Sequence, residues 1–327
     1  MGNVLSTVFT YQLVHAAIRC SVPIIYACLA CSVCKQANVF NMSVEGVMLF
    51  SCFIASSVSY LTGSWVLAVL VSVLFGILVS GLLAFGSIKL KANIVVLAIA
   101  INMLATAATR FLMPRVFGCS GSFTSKDMVP IPTVTLPIFQ DNPVFTSLFN
   151  GYNLFELLCP VFIFVLWFML YKTVWGLRLR TVGLNEMCAQ TAGITADGYK
   201  VQALLIAGAL GGLAGAHMSL GYVTMFAENM VQGRGFMGMA AMHFGAANPV
   251  VASLACLIFG ACDALGSRVQ LVGIPSQFVL MLPYIITVGV LVVAMASFAR
   301  KERRIKSAKH YAAGAAKAGS KSGPSAA

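Results

Sequence analysis

Polar residues divide this chain into a series of apolar stretches. They lie near residues 12–34, 41–61, 65–86, 93–113, 154–171, 200–220, 250–270 and 277–298, with a shorter one near 236–247. A helix needs about 18 to 20 mostly apolar residues to cross a bilayer. A backbone in lipid must also satisfy its own hydrogen bonds, so spanning segments are helices or closed barrels. The pattern predicts an all-α polytopic membrane protein with about 8–9 transmembrane helices, one of them the short, broken helix near 236–247.

Composition agrees. Hydrophobic residues make up 59% of the 327 residues and charged residues 9%, against roughly 25% charged in soluble domains. Mean hydropathy is +0.91. The net charge of +12 does not point to nucleic acid, because eight of the 21 Lys and Arg residues fall between Arg300 and Lys321, after the last apolar stretch. The positive-inside rule reads that cluster as a cytoplasmic tail. It also places Lys89, Lys91, Lys172, Arg178, Arg180 and Lys200 on the cytoplasmic side.

All these basic groups share one side only if the chain crosses once more between Gly221 and Pro249, where "FMGMAAMHFGA" is the candidate. The N-terminus and the loop 114–153 then face outward. The expected organisation is a transmembrane permease domain over 1–299, with a cytoplasmic loop at 173–199, and a basic tail of disordered composition over 300–327. The first apolar stretch contains Arg19 and lacks a basic leader, so it reads as a span and not a cleaved signal. The ten cysteines mostly lie in or beside apolar stretches and read as small hydrophobes, with no disulfide framework implied. A metal at Cys28, Cys31 and Cys34 is a weaker reading than helix packing.

An internal echo supports the count of crossings. "NMSVEGVMLF" (41–50) is matched by "NMVQGRGFMG" (229–238), and "FGILVSGLLAFGS" (75–87) by "FGACDALGS" (259–267). With the topology above, the two copies run in opposite directions. That is an inverted repeat, an arrangement that builds a central path with two alternate openings.

Charge inside a bilayer is costly, roughly 2.5–3.5 kcal/mol per group on insertion scales. Glu45, Glu228, Arg234 and Asp263 lie in or near spans and each needs compensation. Glu45 and Arg234 occupy near-equivalent places in the two copies, so they either pair or line one polar path. Asn41, Asn102, Asn229 and Gln232 add uncharged hydrogen-bonding groups, and Phe40, Phe236 and Phe244 add aromatic faces. Gly233 and Gly235 let a backbone approach a solute or break the helix. Singly, each of these residues fits helix packing better; together, 41–46 and 228–236 fit a path. His217 and His243 read as helix–helix hydrogen-bonding groups, and Arg19 receives no role. "GALGGLAGA" (208–216) is a small-residue face for close helix packing. An ion-coupled transporter using Glu45 or Asp263 is an alternative; a membrane enzyme is disfavoured, since no nucleophile–base or metal-ligand spacing is present.

Three segments carry a resemblance: "NVFNMSVEGVML" (38–49), "GLRLRTVGLNEMCAQTAGI" (176–194) and "GALGGLAGAHMSLGYVTMFAENMVQGRGFMGMAAMHFG" (208–245). The chain resembles the permease subunits of ABC importers for branched-chain amino acids, ribose-type sugars and nucleosides, most of all the shorter permease of nucleoside importers. The resemblance implies that 176–194 docks a short helix on a cytoplasmic ATPase, with Arg178, Arg180, Asn185, Glu186, Ala189 and Gly193 as coupling residues. Asn185 suits an N-cap, Glu186 the first turn, Ala189 a close approach to the partner and Gly193 a C-terminal cap. The general Glu-Ala-Ala signature is matched only in part, since Glu186 lies three residues before Ala189. The resemblance further implies a second permease subunit in a heterodimer, an extracytoplasmic solute-binding lipoprotein, a nucleoside or related small polar solute, contact with membrane lipid, and location in a bacterial cytoplasmic membrane. No cofactor is expected in this chain. "GAAKAGSKS" (314–322) departs from a phosphate loop at Ser320, so ATP and Mg are expected on the partner ATPase.

Overall fold

The computed structural model describes residues 11–134 and 151–270. The stretch expected at 277–298, the tail 300–327 and part of the loop 114–153 lie outside the described residues.

The helices are α1 (Tyr11–Gln36), α2 (Val44–Thr62), α3 (Trp65–Ala84), α4 (Ile94–Phe117), α5 (Leu154–Lys172), α6 (Val174–Leu184), α7 (Glu186–Thr191), α8 (Ala196–Ala216), α9 (Arg234–Phe244) and α10 (Pro249–Gln270). A π-helical turn extends α3 over Phe85–Lys89, and another extends α8 over His217–Tyr222. Among the described residues, seven helices are long and apolar enough to cross a membrane. The short α9 lies where a broken helix is expected. α4 runs past Pro114 to Phe117, so the loop expected from residue 114 starts about a turn later.

Burial separates a centre from a rim. The apolar windows of α1, α8 and α2 are 83%, 78% and 72% buried, while those of α4 and α5 are 17% and 28% buried. The rim helices turn Val96, Met103, Leu104, Phe111, Val161 and Phe164 outward, as lipid-facing surfaces require. The centre is held by glycine. On α8, Gly208 and Gly212 face α3, while Gly211 and Gly215 face α2. A Cβ on Gly212 would stand 2.7 Å from Val73 Cα, and one on Gly211 2.9 Å from Val47 Cγ1. The expected small-residue face therefore works on two sides of one helix, and backbone-to-backbone dispersion replaces the hydrophobic drive that lipid removes.

The two ends of the bundle differ. At one end, β1 (Ser122–Phe123) pairs with β4 (Phe226–Ala227), and β2 (Thr133–Val134) with β3 (Tyr152–Asn153). Phe117 stacks on Phe123 at 4.2 Å there, and Glu228 pairs with Arg110 at 2.7 Å. This is the strand end. At the other, α6 sets Gly183 against Gln36 at the end of α1, α7 follows, and Gln36 Nε2 donates to Ala247 O at 3.0 Å. This is the α7 end. Because β2 pairs with β3, Val134 and Tyr152 lie at the same end. α2, α3, α4, α5 and α8 therefore make an odd number of crossings between the start of α2 and the start of α9, and the two copies of the repeat enter from opposite ends.

Candidate functional site

Two helices begin inside the bundle, and each start is capped by a side chain from a neighbouring helix. The first N–H groups of a helix lack intrahelical partners, and in lipid no water supplies them. At the start of α2, Asn102 of α4 accepts from Gly46 N at 2.8 Å and donates from Nδ2 to Met42 O at 3.0 Å. Asn41 accepts from Ser43 N and Ser43 Oγ at 3.0 and 2.7 Å. At the start of α9, the Glu45 carboxylate of α2 accepts from Gly233 N at 2.7 Å and Gly235 N at 2.8 Å. Gly233 holds φ +83°, and a Cβ on Gly235 would meet Glu45 Cα at 2.8 Å. Both glycines are thus needed for the carboxylate to reach the amides.

Glu45 and Arg234 therefore do not pair with each other. The Arg234 guanidinium goes to Asp263 of α10, Nη2 to Oδ2 at 2.8 Å and Nε to Oδ2 at 3.2 Å, and Nη1 donates to Met230 O at 3.3 Å. A chain of polar contacts thus runs from α4 to α2 and on to the start of α9, whose Arg234 reaches α10. Of the residues expected to line a path, Asn41, Glu45, Asn102 and Arg234 have their groups engaged in holding these helix starts. Asn229 and Phe236 are exposed, as is Gln232. Phe244 packs edge-on to Phe259 at 5.8 Å. Phe40 lies 6.3 Å from the ring of His243, which is exposed on the same side of α9 as Phe236 by helical spacing.

The strand end carries a buried polar cluster that sequence reasoning did not assemble. Arg19 Nε donates to Glu156 Oε1 at 3.1 Å, and Arg19 Nη2 to the carbonyls of Gly221 and Tyr222 at 3.2 and 3.4 Å. Glu156 also meets His217 Nε2 at 3.2 Å and accepts from Asn153 N at 2.9 Å. Asn153 Nδ2 donates to Gly221 O. His217 and Glu156 are fully buried at their side chains. One carboxylate thus joins α1, α5 and the π-turn of α8. The available signal was Arg19 itself, a charge in an apolar stretch that had to find an acid.

At the α7 end, Asn185 caps α7 by accepting from Cys188 N at 3.1 Å. Glu186, in the first turn, pairs with Lys200 Nζ at 2.6 Å, and Gly193 ends the segment at φ +77°. Ala189 is turned inward: it is fully buried with Val182 and Ala196 and touches its own chain. Arg178, which is exposed, donates to Tyr199 OH at 3.3 Å, and Arg180 lies over the Tyr171 ring at 4.8 Å, so both are engaged by their own chain. The large apolar side chains exposed between 184 and 193 are Leu184 and Met187, 88% and 76% exposed. Sequence reasoning passed over both. Their signal was two large apolar residues three apart in a polar, helix-capped loop.

Comparison with known proteins finds related permeases. The model of the branched-chain amino acid transport system permease component matches residues 14–294. A nucleoside ABC transporter permease protein of Lactococcus lactis subsp. cremoris is 33% identical over 83% of this chain and 88% of its own length. A guanosine ABC transporter permease protein of Bacillus subtilis is 32% identical over 88% of this chain and 91% of its own. A putative glucose ABC transporter permease protein of Haloferax volcanii is 28% identical over 80% of this chain and 79% of its own. No solved structure matches.

Proposed function

The chain belongs to the branched-chain amino acid transport system permease family, and from that membership we propose that it carries nucleosides inward as one subunit of an ATP-driven importer. It is a multi-pass membrane transport subunit, and its relatives are permeases, not enzymes. The similarity to nucleoside and guanosine permeases over most of the chain is the observation that carries the choice of solute.

In this reading the α7 end is cytoplasmic. Leu184 and Met187 dock on an ATPase that binds ATP and Mg, and Asn185, Glu186 and Gly193 hold α7 in shape for it. The strand end faces a solute-binding lipoprotein on the outer side of a bacterial cytoplasmic membrane. A second permease subunit completes the path against the exposed side of α9. Phe236 and Phe40 offer ring faces on which a base can stack, Phe244 supports α9 from behind, and Asn229 and Gln232 supply groups for base edges. Asn41, Glu45, Asn102 and Arg234 shape the path by fixing the two helix starts.

A sugar importer is the second reading, favoured by the glucose relative. Uptake of labelled purine nucleosides, ribose and leucine into proteoliposomes holding the assembled complex separates them. Nucleosides are expected to enter only with ATP. Uptake of ribose or leucine with none of nucleosides would overturn the choice of solute.

A further inference from the structure

We propose that Tyr222 is a positioning residue for transport, carrying the position of α8 to the start of α9. The proposal rests on the reading of the chain as a permease coupled through α7.

α8 and its π-helical extension run without a break for 27 residues, Ala196–Tyr222, a length of about 40 Å. One end is joined to α7: Lys200 holds Glu186, and Ala196 packs with Ala189 and Val182. The other end delivers Tyr222. The Arg19 guanidinium carbon lies 5.7 Å from the centre of its ring and that of Arg234 6.0 Å. Each guanidinium has its own acid, Glu156 for Arg19 and Asp263 for Arg234. The Tyr222 hydroxyl lies 3.1 Å from Cys20 Sγ.

Two guanidinium groups repel each other, and a third carboxylate between them would leave an uncompensated charge. An aromatic ring attracts both through its quadrupole and carries no charge itself, and the attraction strengthens where water is excluded. Arg234 is the first residue of α9, and the amides on either side of it are held by Glu45. A shift of Tyr222 therefore acts on the best-anchored turn of α9. The π-turn fits this use. Wide turns of this kind insert a residue into an α-helix and are frequent at functional positions. Here the turn is stitched to α1 and to the start of α5 through the Gly221 and Tyr222 carbonyls, so it moves together with them. The physical route is contiguous: α7, α8, Tyr222, Arg234, α9.

The test compares Tyr222→Leu and Tyr222→Met with Tyr222→Phe and Tyr222→Trp in the complex with its ATPase and second permease, in proteoliposomes. Labelled guanosine uptake and ATP hydrolysis are measured together. Leu and Met are expected to keep assembly and ATP hydrolysis while lowering uptake per ATP by about tenfold or more; Phe and Trp keep it within about twofold. A packing role alone would not divide uptake from hydrolysis, nor rank the substitutions by their π-face. Unchanged uptake per ATP in Leu and Met overturns the proposal, as does a Phe variant as poor as Leu, which would transfer the role to the hydroxyl and Cys20. Failure of both Leu and Met to assemble also overturns it, making the ring a packing element. If the wild-type complex shows no ATP-dependent uptake, the transport reading itself fails and the proposal falls with it.

Discussion

The two ends of α8 are fastened by different physics. At the strand end, Arg19, Glu156, His217 and Asn153 meet in a site where the Glu156 side chain is fully buried. At the α7 end, the fastening is an ion pair with Glu186 half in solvent, exposed hydrogen bonds from Arg178 to Tyr199 and Trp175 to Gln202, and a cluster of three small apolar side chains. A buried pair holds because breaking it strands a charge; an exposed pair contributes little because water and salt compete for both partners. The difference teaches where this permease is built to be stiff. At the strand end α8 is bound to α1 and α5 as one body that includes Tyr222, and at the α7 end its link to α7 stays open to water and salt.

The strongest way to break the comparison is at the buried site. Glu156→Leu removes the acid from Arg19 and His217 together and should lower stability by about 3 kcal/mol or more, read as a lower melting temperature and yield in detergent. A melting temperature equal to wild type would mean that the cluster does not hold the strand end. The opposite end should barely respond. Lys200→Ala is expected to cost about 0.2–1 kcal/mol, with the difference fading as salt is raised. A loss as large as that of Glu156→Leu would erase the contrast.

A smaller effect sharpens the picture at the strand end itself. Arg110 and the Gly121 amide hydrogen-bond to Glu228 and hold its carboxyl below the usual range. A depressed folded-state pKa gives stability that is complete above the unfolded value of about 4.3 and is lost as pH falls through the folded value. Amide exchange at Gly121 and Phe226–Glu228, corrected for intrinsic rates, should therefore lose protection only below about pH 4.3. Glu228→Gln should remove that dependence. Protection that falls equally in both proteins would separate Glu228 from the β1–β4 pairing.

Much of this was legible in the sequence. Hydropathy located the spans because a lipid-facing helix must be apolar along its whole length, and the glycines around Arg234 announced the short α9. Asn185 and Gly193 took the capping places expected of them, since caps depend on residues only a few positions away. What escaped depends on distant partners. Glu45 and Arg234 were recognisable as costly, but their partners lie on other helices: backbone amides 188 and 190 residues along the chain for Glu45, and Asp263 for Arg234. Arg19 needed Glu156, which lies 137 residues away on another helix. Ala189 suited a partner's cleft by size, yet small size serves internal packing equally well, and α7 uses it that way. The same geometry changes how docking is best disturbed. Gly193 has a positive φ, so Gly193→Trp strains the backbone as well as adding bulk, whereas Met187 is exposed and unstrained.

Met187→Glu is therefore the most direct test of the central claim, that α7 is the surface through which an ATPase drives this permease. An exposed substitution of this kind should change stability by no more than about 0.5 kcal/mol, so insertion and melting stay at wild-type values. The measurement is the yield of ATPase co-purified with the permease, normalised to permease recovered. The account predicts that Met187→Glu is recovered in full with little or no ATPase bound. ATPase recovered at the wild-type ratio would contradict it.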